Sequence, residues 1–174
     1  MFTITTERPQ DGPVIEALLD RAFGPDRHQK KSYRYRVGIP AVPDLRLVAR
    51  HTEDGRLIGT VRCWPVLIDE KPALLLGPLA VEPDLRGRGI GVSLMWEVLD
   101  MAAWAGHRVV VLVGDYAYYR RFGFVHAAPF GISMPDEDPA RLLALPLGRG
   151  RLEDFTGIIQ PWRSVRGGTH LRAA

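Results

Sequence analysis

The sequence predicts a single α/β domain, and three observations predict it. The chain has 174 residues, near the ~150 of a typical domain. Short β-branched runs alternate with stretches of helical apolar spacing. A continuous apolar strand, Ala73 to Val81, leads through a glycine-rich turn into one long helix from about Ile90 to Ala105. No internal repeat interrupts residues 1–174, and no linker is long enough to separate a second domain from the first.

The elements follow in order. Phe2 to Thr6 is β-branched and aromatic and reads as a first strand. Asp11 is placed as a helix N-cap, with Pro13 just inside the first turn. Val14, Ile15, Leu18, Leu19, Ala22 and Phe23 recur at helical spacing, and Gly24-Pro25 stops the helix. Asp26 to Val37, polar and basic, predicts a weak helix. Leu45 to His51 and Leu57 to Ile68 predict strands joined by a hairpin turn at Glu53-Asp54-Gly55-Arg56. Asp69-Glu70-Lys71-Pro72 turns the chain into Ala73–Val81. Within that strand Gly77-Pro78 marks a bulge or a local opening, because proline donates no ladder hydrogen bond. The long helix carries Ile90, Leu94, Val98, Met101 and Ala105 on one side, and Gly106 ends it. Arg108 to Val113 predicts a buried strand, Asp115 to Phe122 a short helix, and Phe124 the start of another strand. Ile132 to Met134 and Arg141 to Leu147 predict late strands. From Gly148 the chain is Arg/Gly-rich, and Thr169 to Ala174 is expected to fray.

Composition narrows the function classes. Hydrophobic residues are 46% and charged residues 25%, which excludes a disordered, collagen-like or coiled-coil chain. No apolar run approaches the roughly 18 residues of a membrane span. The N-terminus lacks the basic-then-apolar order of a signal peptide. The single cysteine, Cys63, excludes an internal disulfide and a cysteine-built zinc site. The five histidines, His28, His51, His107, His126 and His170, have no metal-ligand spacing. These readings point to a cytoplasmic protein with no metal and no membrane partner. The net charge of +3 is carried mostly by arginine, since only Lys30, Lys31 and Lys71 are lysines. Such an excess suits anionic small molecules. No long basic run or nucleic-acid motif accompanies it, which argues against a nucleic-acid partner.

The segment Leu79-Ala80-Val81-Glu82-Pro83-Asp84-Leu85-Arg86-Gly87-Arg88-Gly89-Ile90-Gly91 carries the most information. A buried strand ends, and a glycine-rich turn opens a long helix. Glycines let the backbone approach a ligand with no Cβ in the way. The first N–H groups of a helix lack internal partners and carry the positive end of its dipole. Together these make a site for a phosphate or pyrophosphate, with the charges of Arg86 and Arg88 beside it. No Gly-Lys-Ser/Thr follows, so the turn is not of the Walker type, and its glycine spacing is wrong for a dinucleotide fold.

Val81-Glu82-Pro83 and Arg86-Gly87-Arg88-Gly89-Ile90-Gly91 resemble the acetyl-CoA-binding motif of the GNAT superfamily of N-acetyltransferases. Tyr119-Arg120-Arg121-Phe122-Gly123-Phe124, downstream, is similar to the family's Tyr-x-x-x-Gly-Phe. Leu76-Gly77-Pro78-Leu79-Ala80-Val81 and Gly114-Asp115-Tyr116-Ala117-Tyr118-Tyr119 resemble the YhbS-like bacterial subgroup. The strong match covers about residues 74–126, and the C-terminal segment matches loosely. The resemblance implies a mixed, mostly antiparallel sheet flanked by helices and splayed between its fourth and fifth strands. It implies acetyl-CoA as co-substrate, with no metal. The pantetheine arm would pair with the free edge of Leu79, Ala80 and Val81. The pyrophosphate would sit on the N–H groups of Arg88, Gly89, Ile90, Gly91 and Val92, with Arg86 and Gly87 shaping the turn. Asp115 stands near the cofactor where the family more usually has asparagine.

The implied reaction is attack of an amine on a thioester, with coenzyme A leaving as a thiolate. Tyr119 aligns with the tyrosine that the family places near the sulfur. Full proton transfer from an ordinary phenol to an ordinary thiolate is uphill by about 2 kcal/mol. Tyr119 is therefore expected to stabilise the sulfur by hydrogen bonding, with Tyr118 as the adjacent alternative. The base is harder to place. The fourth strand carries no acid, and Glu82 lies beyond it at the phosphate turn. Asp69, Glu70, His51 and His126 stay open, as do water relays. Cys63 reads as core packing. The basic stretch Arg21 to Arg36 reads either as a solvated face or as attraction for an anionic acceptor. A small-molecule or peptide amine is the expected acceptor, and a homodimer stays open. The missing strand-four acid also leaves room for a CoA-binding module that has lost turnover.

Overall fold

The computed structural model describes residues 1–163. The predicted fraying of Thr169 to Ala174 lies outside them. Eight segments long enough to pair or coil build the centre. They are β1 (Phe2–Thr6), α1 (Gly12–Phe23), β2 (Arg46–His51), β3 (Leu57–Ile68), β4 (Lys71–Val81), α2 (Ile90–Trp104), β5 (Val109–Val113) and β8 (Leu142–Pro146). Shorter pieces complete it: α3 (Tyr116–Tyr119), β6 (Val125–His126), β7 (Ile132–Ser133) and β9 (Gly157–Pro161).

The main sheet runs β1-β2-β3-β4-β5-β8-β6. The β4–β5 pair is parallel, and the other pairs along that path are antiparallel. This is the mixed sheet that the resemblance implies, flanked by helices. Alternate residues of β4 feed opposite faces, as the pleat requires. Leu74 and Leu76 pack toward α2, with Val110 and Leu112 of β5. Ala73 and Leu75 pack on the other face, with Val109 and Val111. A third cluster puts Ile15, Leu18 and Leu19 of α1 on Val48, Leu57 and Ala80.

The Gly77-Pro78 prediction resolves as a bulge. Val61 opposes Leu79 while Cys63 opposes Leu76, so β4 spends one more residue than β3 across that step. The phase then flips: Leu79 and Val81, at odd positions, face the same core as Leu74 and Leu76. The Gly77–Pro78 peptide is cis. Pairing with β5 is limited to Leu74–Val110 and Leu75–Val111. Beyond Leu75 the β5-facing edge of β4 is left unpaired as the strands diverge.

Three expectations need correction, and the structure adds one strand. Asp11 stands at the N-cap position of α1, with Pro13 in the first turn, but its side chain does not cap the helix. Its carboxylate instead accepts from the backbone N–H of Arg8 (2.7 Å) and from Arg50 Nη2 (2.6 Å). Asp26 to Val37 is not one helix but two 3-10 turns, Pro25–Gln29 and Lys31–Arg36. Aromatic and basic residues alternate there without an apolar stripe to bury. The late strand Ile132 to Met134 shrinks to the two residues of β7. The sequence pattern does not predict β9, which pairs with both β7 and the far end of β3.

Candidate active site

The glycine turn is held from three sides. α2 presses on β3 at Gly59, where an added Cβ would stand 3.0 Å from both Ile90 Cγ2 and Leu94 Cδ1. Ile90, Leu94, Met95, Val98, Leu99 and Ala102 bury the inner face of α2. Each such side chain is worth roughly 1.5–3 kcal/mol when fully buried, alanine aside. Arg21 of α1 pairs with Glu82 through two hydrogen bonds, 2.7 Å and 3.2 Å. Arg86 donates to the carbonyl of Ala22 (3.3 Å). Glu82 is therefore an anchor for the turn, not a free base. Gly87 (φ +79°) and Gly89 (φ +81°) hold left-handed backbone, which other residues reach only at a cost. The first turn of α2 carries no acidic residue.

A cleft of about 580 Å³ opens onto this turn, lined by Ala22, Phe23, Leu79 to Val81, Leu85 to Gly87, Gly89 to Val92, Tyr118, Tyr119 and Arg121. Leu79, Ala80, Val81, Arg86, Gly87, Gly89, Ile90, Gly91 and Val92, all singled out from sequence, thus meet on one surface. Arg88 does not line it and projects exposed from the turn. A second cavity, about 330 Å³, adjoins the first and shares Phe23, Leu79, Tyr118 and Tyr119 with it. It occupies the splay, with Leu75 to Pro78 on one side and Val113, Gly114 and Asp115 on the other. Lys30, Ser32, Tyr33, Arg36 and Arg141 close it. A third hollow, about 290 Å³, lies past Tyr33, Arg36 and Pro78 and reaches Glu16, His28, Arg62 and Trp64.

The two tyrosines differ in place. Asp115 caps α3 by accepting from the Ala117 N–H (3.0 Å). That turn aims Tyr118 at the mouth of α2: an added Cβ at Gly91 would lie 3.2 Å from its hydroxyl. The Tyr119 ring fills the space that Gly114 leaves open, packed edge-on against Tyr118 and Phe124. Burial pushes the Tyr119 phenol up to about 12, with Tyr118 adding to the shift and Arg141 opposing it. The phenol therefore stays protonated at any working pH. Burial raises Tyr118 as well.

The other sequence candidates fall elsewhere. None of Asp69, Glu70, His51 and His126 lines the cleft or the two hollows beside it. His51 sits by Asp54 (3.5 Å), and His126 stacks on Tyr116 (4.4 Å). Cys63 is buried in the core, and burial pushes its thiol up to about 12. Among the described residues no cluster of three metal-ligating side chains occurs. No described helix is long and apolar enough to cross a membrane.

The sequence pattern of the acetyltransferase (GNAT) family matches residues 13–124. The chain belongs to that family. It is 39% identical to the uncharacterized N-acetyltransferase YhbS of Escherichia coli K12 over 127 residues, 72% of this chain and 74% of that one. The crystal structure of E. coli YhbS in complex with CoA superposes with a TM-score of 0.81 at 32% identity, covering 92% of this chain and 89% of that one. A GNAT family acetyltransferase from Brucella melitensis in complex with acetyl-CoA superposes with a TM-score of 0.69 at 30% identity, covering 92% and 95%. The chain is thus an N-acetyltransferase by family. Its mixed sheet, with the parallel β4–β5 pair and flanking helices, is the family's fold.

Proposed function

We propose that the chain transfers an acetyl group from acetyl-CoA to a primary amine, by direct attack in a ternary complex. The observation that carries this is the run of free backbone from the splay to α2. The unpaired edge of Leu79, Ala80 and Val81 leads directly to the glycine turn, along one cleft. In this reading the pantetheine amides pair with that edge. The pyrophosphate lies on the N–H groups of Gly89, Ile90, Gly91 and Val92, with Arg86 and Gly87 shaping the turn. Arg88 contributes its backbone and a nearby charge, and Asp115 positions α3. The two CoA-bound relatives support the same choice of co-substrate.

The thioester then lies at the junction of the two cavities, beside Tyr119. The amine lone pair attacks the carbonyl carbon, the C–S bond breaks, and the amine's proton goes to water. The thiolate receives a hydrogen bond from Tyr119. With the phenol pushed up to about 12, full transfer to sulfur lies further uphill than for an ordinary phenol. Tyr119 therefore stabilises the thiolate as a donor, and solvent completes its protonation. Incubation with acetyl-CoA and a panel of amines, read by free thiol and by the mass of the product, tests the reading. Acetylated amine is the expected result. Tight CoA binding with no acetylated product across the panel would make the chain a CoA-binding module instead.

A further inference from the structure

Two arginines of the 25–36 segment are mostly buried, and they contrast. Arg27 is satisfied: its Nε donates to Asp20 Oδ1 (2.7 Å), its Nη1 to the Tyr33 hydroxyl (2.9 Å), and its Nη2 to Glu16. Arg36 is not. Its Nε and Nη1 are buried and have no hydrogen-bond partner. Its guanidinium stacks over the rings of Tyr33 (4.5 Å) and Trp64 (5.9 Å), and the Tyr33 hydroxyl already accepts from Arg27. Glu16, which lines the hollow beside Arg36, is engaged by Arg27 and Arg62, as Asp20 is by Arg27, Glu7 by Arg62 and Asp136 by Arg34. A buried, unpaired cation is costly to fold, and native structures rarely leave one without a reason.

The placement of Arg36 is deliberate in physical terms. Tyr35, beside it, is buried and donates to the carbonyl of Ile159 in β9 (3.2 Å). That bond and the β9–β3 pairing hold the 31–36 turn against the sheet. Arg36 forms the wall between the cavity at the splay and the hollow beyond it. Lys30 and Arg141 line the same cavity. Burial lowers the pKa of Lys30, and the charges of Arg141 and Arg36 lower it further, so the three cations sense one another. Asp115 is the one acidic residue lining that cavity, and its Oδ1 accepts the Ala117 N–H as the cap of α3.

We infer that the acceptor carries a carboxylate near its amine, and that Arg36, with Lys30 and Arg141, binds that carboxylate while the amine faces the thioester. The inference rests on the acetyl-transfer reading above and names its substrate class. A planar carboxylate can accept from a guanidinium held in a fixed plane, and it would add a counter-charge to the three cations that line the cavity. Arg36 then determines specificity and takes no part in the bond changes.

The experiment pairs free amino acids and dipeptides with their C-terminal amides, and adds aminoalkylphosphonates. Each is assayed as an acceptor with the wild type, Arg36→Gln and Arg36→Lys. The wild type should prefer acids over amides by about 10- to 100-fold in kcat/KM, the range of charge-assisted hydrogen bonds. The difference should lie in KM. Arg36→Gln should erase the preference with acetyl-CoA affinity unchanged, and Arg36→Lys should restore some of it. Equal use of acids and amides by the wild type, or a preference that survives in Arg36→Gln, would overturn the inference and leave acetyl transfer standing. Better use of phosphonates than of carboxylates would overturn the choice of anion. If nothing is acetylated, calorimetric titration of the acids into CoA-saturated protein decides. Binding that Arg36→Gln abolishes keeps the anion site and refutes the transfer reading, and no binding refutes both.

Discussion

At the residue scale, Tyr119 and Cys63 show how burial separates a working group from an inert one. Burial pushes both up to about 12, yet only Tyr119 lines the cleft. Tyr119→Phe keeps the ring that fills the space over Gly114 and removes one hydroxyl. Acetyl-CoA affinity should barely change, while kcat falls about 10²-fold, the lower end of proton-donor contributions, where chemistry limits the rate. A loss confined to KM would instead assign the hydroxyl to ground-state binding. Cys63, held as a thiol among core side chains, should resist iodoacetamide in the native state and react after unfolding. Rapid labelling of native protein would show that the strand opens near the bulge. The place of Tyr119 on the cleft was legible because Tyr-x-x-x-Gly-Phe is contiguous. Arg36 was legible only as one charge in a basic stretch. What singles it out is the absence of a partner, and no local sequence pattern encodes that.

At the element scale, α2 and its turn make opposite demands on one position. Gly91 lies in the first turn of α2, where an acidic side chain is favoured by the helix dipole. It also lies where phosphate is proposed to approach. Its backbone is not left-handed, and an added Cβ meets chiefly the far end of the Tyr118 side chain. Gly91→Asp should therefore fold with a thermal midpoint near the wild type's and lose CoA binding, as read by calorimetry. Unchanged CoA affinity in the folded variant would remove the pyrophosphate from this turn. α2 was predictable within one residue at its C-terminal end, because fifteen residues of amphipathic spacing leave one solution. β9 was not. Its five residues, Gly157 to Pro161, begin with glycine and end with proline. Their partners in β3 lie about ninety residues earlier in the chain, as in the Val66–Pro161 pair. Such a strand exists only because β3 runs on past β2, whose pairing ends at Arg62, a fact that belongs to the sheet and not to the segment.

At the scale of the whole molecule, ion pairs tie the first helix and first strand to the sheet that carries the site. Arg62 of β3 grips Glu7 through two bonds of 2.9 Å and reaches Glu16 of α1 (3.2 Å). Asp11, at the start of α1, holds Arg50 of β2 and the Arg8 N–H. Burial raises the pKa of Asp11, but the Arg50 hydrogen bond and the Arg8 N–H outweigh it, and the carboxyl ends below its usual range. The sign follows from proton counting. At pH values above the folded pKa, the unfolded chain holds more protons at this group than the native one, so stability rises with pH there. The contribution is fully present above about pH 4, the ordinary value, and is lost as pH falls through the folded pKa. Asp11→Asn removes it and leaves Arg50 without its charged partner. At pH 7 the loss should be about 1–3 kcal/mol, or roughly 2–12 °C in Tm for a chain of this size. The gap between variant and wild type should narrow as the pH of the urea or thermal unfolding series falls from 5 toward 3, because the wild type is then losing the same charge. A gap that stays constant over that range would mean that Asp11 acts through packing alone. The tie between β1, α1 and β2 would then be apolar, and the wall that α1 supplies to the cleft would not weaken with acid.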